Sequence, residues 1–257
     1  MIERGGKRAA GRVAATAVVA VVLGSVAIGC SSSDPAPSAS GPSSSTTAAP
    51  ATSPPTTQDE AADEAVAEAA LLTVDEVPGG PWVEGDPRSS APGTGLDCDD
   101  MAEESAYFEE HAKGAPGAKA PELNDEANQT ALQLDVNIVA TQEVADEVAG
   151  FFADERFPGC LESRLLDDAS TGSSAAISDV AIEPLDAATV GDSSVAWSVS
   201  FTVTQGTETV EIGGIVAFVQ VGRGFSNLSL ISQNPVGAAD IEPIMAAAGE
   251  KLEAALA

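Results

Sequence analysis

The most regular pattern in the chain lies between Thr130 and Ala140. Leu132, Leu134, Val136 and Ile138 alternate with Gln133, Asp135 and Asn137. A period of two predicts a strand with one face in the core and a polar face opposite. Thr141 follows as a helix cap, and Val144, Val148, Phe151 and Phe152 recur at helical spacing, so a helix to about Glu155 is expected. Four more strands are predicted beyond it. They are "AISDVAIEPL", then Val195 to Val203 with every second residue apolar, then Val210 to Val221, then Phe225 to Ile231. Within Val210 to Val221 the apolar parity changes at Gly213-Gly214, which predicts a bulge. Short turns join these runs and imply an antiparallel meander. Ile241, Ile244, Met245, Ala248 and Leu252 then line one side of a closing helix.

Upstream of Thr130 the pattern is weaker. "TTQDEAADEAVAEAALL" predicts a helix over about 58–72, opened by a Thr57/Glu60 capping box, with Val66, Ala69, Ala70 and Leu72 as a thin apolar face. Thr73 and Glu76 repeat the device in a short turn, "PGGP" stops it, and Trp82 is expected at the edge of the core. The stretch from Glu84 to Ala127 is acidic and turn-rich, with a short helix near Met101 to Lys113. So long an excursion is a candidate functional region. The order α, β, α, four β, α predicts an α+β fold, an antiparallel sheet of about five strands packed by helices.

The first 57 residues have no such pattern. "MIERGGKRAAGR" is basic, Val13 to Ile28 carries no charge, and Gly29-Cys30 closes the run. This is the grammar of a secretory leader, and about 16 apolar residues fall short of the roughly 20 that span a bilayer. Ser31 to Thr57 is rich in Ser, Thr, Pro and Ala and has no large apolar residue, so it is expected to be a tether. The organisation read from this is a signal peptide over 1–29, a tether over 30–57 and one extracytoplasmic domain over 58–257. "AIGC", Ala27 to Cys30, resembles a bacterial lipobox. The resemblance implies cleavage before Cys30 and a diacylglyceryl group, with palmitate-type acyl chains, on its sulfur. The partner implied is then the outer face of the cell membrane.

The formal charge is −29. Seven Lys and Arg against 39 Asp and Glu follow Cys30, a surplus of 32 negative charges. Such a surface repels phosphate backbones, which argues against nucleic acid as a partner. A small-molecule or protein ligand remains open.

Cys98 and Cys160 are the two cysteines beyond Cys30. In an oxidising compartment two unpaired thiols are improbable, so a disulfide is expected. Closing so long a loop contributes about 4 kcal/mol on the chain-entropy model. A zinc site lacks ligands, since His111 is the sole histidine. His111 lies in "FEEHAKG", and no G-x-S-x-G elbow accompanies it, so a surface role outweighs a triad. Asp97, Asp99, Asp100, Glu103 and Asp125 are acidic enough for Ca²⁺, but the EF-hand spacing fails and solvated acid is the better reading. No cofactor is expected, and no catalytic residue is assigned.

From Leu71 onward, "LLTVDEVPGGPW", a cysteine soon after, a "Phe-Phe…Pro-Gly-Cys" segment and late strands before a terminal helix resemble a group of actinobacterial envelope proteins. The group includes the extracellular sensor domain of a mycobacterial serine/threonine kinase. The resemblance implies a sensor-like or binding role without catalysis. Two alternatives stay open, an envelope hydrolase using paired carboxylates and an assembly partner of other envelope proteins. An apolar pocket of roughly 300 Å³ or more favours binding. Two inward carboxyls about 5–9 Å apart favour hydrolysis, and a large exposed apolar patch favours assembly. For the anchor, mass spectrometry of the membrane fraction is expected to find a mature chain beginning at a diacylated Cys30. A chain released to the medium with another first residue contradicts it.

Overall fold

The computed structural model describes residues 59–85, 98–172 and 175–257. The leader, the tether, Cys30 and Asp97 lie outside them. In chain order the elements are α1 (Glu60–Ala70), β1 (Val83–Glu84), a 3₁₀ turn (Asp99–Met101), α2 (Ala102–His111), β2 (Gly117–Lys119), β3 (Leu123–Asp125) and β4 (Thr130–Ile138). Then come α3 (Gln142–Ala153), α4 (Phe157–Gly172), β5 (Ala175–Pro184), β6 (Ser193–Gln205), β7 (Glu208–Val221), β8 (Gly224–Ser232) and α5 (Ala238–Leu256).

The fold is α+β as expected, but among the described residues the sheet has eight strands rather than about five. Its order is β1-β3-β4-β8-β7-β6-β5, with β2 beside β3 on the same edge of β4. All pairs are antiparallel. The extra strands β1, β2 and β3 come from the Glu84–Ala127 excursion and are two or three residues long. Runs that short carry no readable period, so pattern alone misses them.

Alternate residues put two layers of helix on the sheet. Trp197, Val199, Phe201, Val216 and Phe218 face α3 and α4 through Val148, Phe151, Phe152, Phe157 and Leu161. Ala196, Ile215, Ala217, Leu228 and Leu230 face α5 through Ile241, Ile244 and Met245. Val136 and Ile138 meet Ala67 and Ala70 of α1 and Leu252 of α5.

This two-sided burial explains the parity change in β7. The β6–β7 register runs unbroken from Ser193↔Gln220 to Gln205↔Glu208, so the expected bulge at Gly213-Gly214 is absent. From Ile215 on, both faces of β7 are covered and apolar residues fill both. The register shift occurs instead in β5, between Ser178 and Ala181, where Asp179 adopts a φ of 54°. Gly214 has a different reason. A Cβ there would sit 2.7 Å from Ile231 Cδ1 and 2.9 Å from the Leu230 carbonyl oxygen.

Two helices depart from expectation. α1 begins at Glu60, and the N–H of Ala62 donates to Asp59 Oδ1 at 3.2 Å, so Asp59 is the cap. Its buried face is Asp63, Ala67 and Ala70, whereas Ala69 is exposed. Asp63 is buried because Arg223 of the β7–β8 turn pairs with it. The helix opened by Thr141 ends at Ala153, and Cys160 belongs to the separate α4. The Thr141 cap itself forms, the Val144 N–H donating to Oγ1 at 3.2 Å.

Cys98 and Cys160 stand at disulfide distance, with Cα atoms 5.2 Å apart. Arg156 clamps the same two segments. It donates to Glu104 at 2.6 Å, to Asp154 at 2.7 Å and to the Asp100 carbonyl at 3.0 Å. These bonds from Arg156 hold the Asp154 carboxyl down at about 2.

The two adjacent glycines of β7 are expected to respond oppositely. Gly214→Ala should lower stability by about 1–3 kcal/mol through overpacking. Gly213→Ala, whose nearest contact would be 3.8 Å away, should be neutral or stabilising. Urea midpoints of the two variants check this, and equal losses contradict the unbroken register.

Candidate functional site

α3 carries two kinds of face. Ala145, Val148, Phe151 and Phe152 are buried in the core. Asp146, Ala149, Gly150 and Ala153 follow one another at i, i+3, i+4 and i+7 and look sideways. These short side chains leave a groove between α3 and the start of β6. Its volume is about 340 Å³. Phe152, Phe218, Phe225 and Val195 form the floor, and Asp146, Asp192, Ser193 and Gln220 form the polar margin.

The margin is held by a hydrogen-bond chain. Ser193 Oγ donates to Gln220 Oε1 at 2.7 Å, and Gln220 Nε2 donates to Asp146 Oδ1 at 2.7 Å. The Gly222 N–H donates to Asp192 Oδ2 at 2.7 Å. Gln220 is 3% exposed, so this chain satisfies an amide that would otherwise be stranded.

The sheet register shows what lies beside the groove. One row across the strands runs Gly117, Asn137, Phe225, Gln220, Ser193. The next runs Lys119, Asp135, Asn227, Phe218, Val195. Directly opposed residues share a face, and rows on one face are about 7 Å apart. On the same face of the sheet, Phe218 and Phe225 of the floor therefore adjoin a polar shelf of Asn137, Asp135, Asn227 and, one row on, Ser229, which lies beneath the surface and does not line the groove. Burial of Asp135 pushes its carboxyl up to about 6, against the opposing pull of Lys119.

The acidic residues singled out in the sequence do not assemble. Asp99 and Asp100 are exposed on the 3₁₀ turn. Glu103 lines a separate hollow of about 200 Å³ with Glu104, Tyr107 and Glu147. Asp125 is not solvated acid. It is buried and accepts from the Ala127 and Asn128 N–H groups at 3.0 and 3.2 Å, which fixes the β3–β4 turn. Among the described residues no group of three or more His, Cys, Asp or Glu is placed to hold a metal. His111 touches the Tyr107 ring, centroids 4.4 Å apart, and lies 4.0 Å from a Glu110 oxygen.

The groove residues were not legible as a site. Asp135 and Asn137 read only as the polar face of an alternating strand. Gln220 and Asn227 sit in strands with no motif. The available signal is "ADEVAGFFA", where small residues recur opposite an aromatic face.

No family model matches the chain, and no curated protein matches it. Among solved structures, the chain is similar to the extracellular domain of PknH from Mycobacterium tuberculosis. That likeness has a TM-score of 0.38 and 10% identity, covering 74% of this chain and 96% of that one. Among the described residues, no helix is long and apolar enough to cross a membrane.

Asp135 makes stability depend on pH in a defined direction. Its pKa is higher folded than unfolded, about 6 against 3.8, so the folded state binds more protons in between. Its contribution is fully present below about pH 4 and is lost as pH rises through about 6. Asp135→Asn should therefore gain on the order of 2 kcal/mol relative to wild type at pH 7, and nothing at pH 3.5. Chemical denaturation of both proteins at the two pH values checks this. An equal difference at both pH values contradicts the raised pKa.

Proposed function

We propose that this protein is a lipid-anchored extracytoplasmic binding module, without catalytic activity, that holds a small ligand in the groove beside α3. The observation that carries the reading is the groove's volume of about 340 Å³ over the Phe152, Phe218 and Phe225 floor. Concave, largely apolar sites with a few fixed polar groups are the usual form of small-ligand sites. The polar margin suits recognition rather than chemistry. Asp146 accepts from Gln220 and Asp192 from the Gly222 N–H, so each carboxylate has a partner. The Ser193 hydroxyl donates to an amide oxygen, which cannot act as a general base.

The assembly reading has less support. Val83 and Leu166 are the large apolar side chains markedly exposed among the described residues, one on β1 and one on α4. The anchoring at Cys30 rests on the leader and the lipobox resemblance. Ser31 to Thr57, expected from its composition to be a tether, then separates the acidic domain from the anchor.

Native mass spectrometry of the protein taken from its own envelope is the direct test. A non-covalent adduct is expected on wild type and not on Gly150→Trp. Gly150 lines the groove and a Cβ there meets no atom within 4 Å, so a large side chain at this position is expected to fill the groove. A wild type free of adduct, or an adduct that survives in Gly150→Trp, overturns the proposal.

A further inference from the structure

The polar shelf contains several buried side-chain atoms with no hydrogen-bond partner. They are Asn227 Nδ2 and Oδ1, Asn137 Nδ2 and Ser229 Oγ. Asn137 is 3% exposed. Native interiors leave few such atoms, and each one withheld from both water and protein is destabilising. Here they gather on one face of β4 and β8, next to Phe218 and Phe225 of the groove floor. The opposite face of the same strands is mainly apolar, with Leu132, Leu134, Val136, Leu228 and Leu230 in the core, and carries a single unpartnered polar atom on these strands, Ser226 Oγ. Replacing Asn227 or Ser229 by apolar residues would suit packing alone. Polar groups kept there without partners point to a partner from outside the chain.

The donor and acceptor inventory narrows that partner. Asn137 and Asn227 need an acceptor, Asn227 Oδ1 needs a donor, and a serine hydroxyl takes either. An ammonium has no acceptor to give. A phosphate or carboxylate satisfies the donors but meets Asp135 at the same height of the sheet, opposite Asn227. An uncharged hydroxyl is both donor and acceptor and meets every requirement. The floor beside the shelf takes a hydrocarbon segment.

Resting on the reading of the groove as a ligand site, we infer that its ligand is an amphiphile with an uncharged, hydroxylated head, the head on the Asn137–Asn227–Ser229 shelf and the apolar part over Phe218 and Phe225. Because the shelf does not line the groove in this structure, docking requires side chains at the groove's edge to move and open the shelf to the head.

The test is a titration of the mature chain from residue 30 onward, made as Cys30→Ser so that it stays unlipidated, followed by ¹H–¹⁵N NMR. The side-chain NH₂ signals of Asn137 and Asn227 report the shelf, and the backbone signals of Phe218 and Phe225 report the floor. The probes are octyl β-glucoside below its micelle concentration, octyl phosphate, octylammonium and free glucose. The glucoside is expected to move both sets and to bind at least tenfold more tightly than each of the other three. Asn227→Leu should abolish the preference for the glucoside over octyl phosphate and leave the floor shifts in place. Ser229→Ala, a smaller change, should reduce it severalfold. Equal affinity for the three octyl compounds overturns the inference, as does binding of glucose as tight as the glucoside. Floor shifts with unmoved Asn amides overturn it too, while leaving the groove a binding site. If no probe moves either set, both readings fall.

Discussion

The seating of Phe152 on Phe218 is the contact on which the rest of the structure depends. The two rings stack with centroids 3.7 Å apart, and the Trp197 indole N–H donates to the Phe152 carbonyl at 3.1 Å. Burying a side chain of this size stabilises by about 1.5–3 kcal/mol, and each aromatic pair adds roughly 0.5–1.5 kcal/mol. Phe157, Phe151 and Phe108 extend the cluster edge-on, so α2, α3 and α4 are all set by it. The same contact makes the groove. It fixes the height of α3 above β7 while Ala149, Gly150 and Ala153, on the neighbouring face of the helix, are too short to reach the sheet.

Burial on both faces is the second constraint. β7 lies between the aromatic layer and α5, and it can do so because Gly214 lets Ile231 cross close to the backbone. A strand covered on both sides has no solvent face on which to place polar residues. Where such residues do occur at this depth, as at Gln220, they are bonded into a network. The shelf on β4 and β8 breaks that rule.

Electrostatics is mostly a property of the surface here. In a chain with so many carboxylates, position decides their roles. Asp63 is buried against Arg223 and joins α1 to the β7–β8 turn. Glu76 is held at about 2 by the hydrogen bond from Lys251 and by Thr73. Arg156 reinforces the region of the Cys98–Cys160 link with three acceptors. Arg156, Arg223 and Lys251 thus join separate elements and leave most of the acidic exterior unneutralised.

By itself the sequence determined the long elements. The β4 alternation, the Thr141 cap, the three strands from Ser193 to Ser232 and the closing helix follow from local periodicity and capping, which act over a few residues. The pairing of Cys98 with Cys160 was also legible, because the export expected from the leader leaves two thiols little alternative. Tertiary structure decided the remainder. β1, β2 and β3 are too short for a period; β2 and β3 exist because β4 offers them an edge, and β1 because β3 does. The parity change in β7 looked like a bulge because one chain cannot reveal that both its faces will be covered. Asp135 and Asn137 read only as a polar face for the same reason. Only the register, which sets Asn137 against Phe225 and Asp135 against Asn227 from a strand about 90 positions later, shows that this polar alternation lies on a covered face.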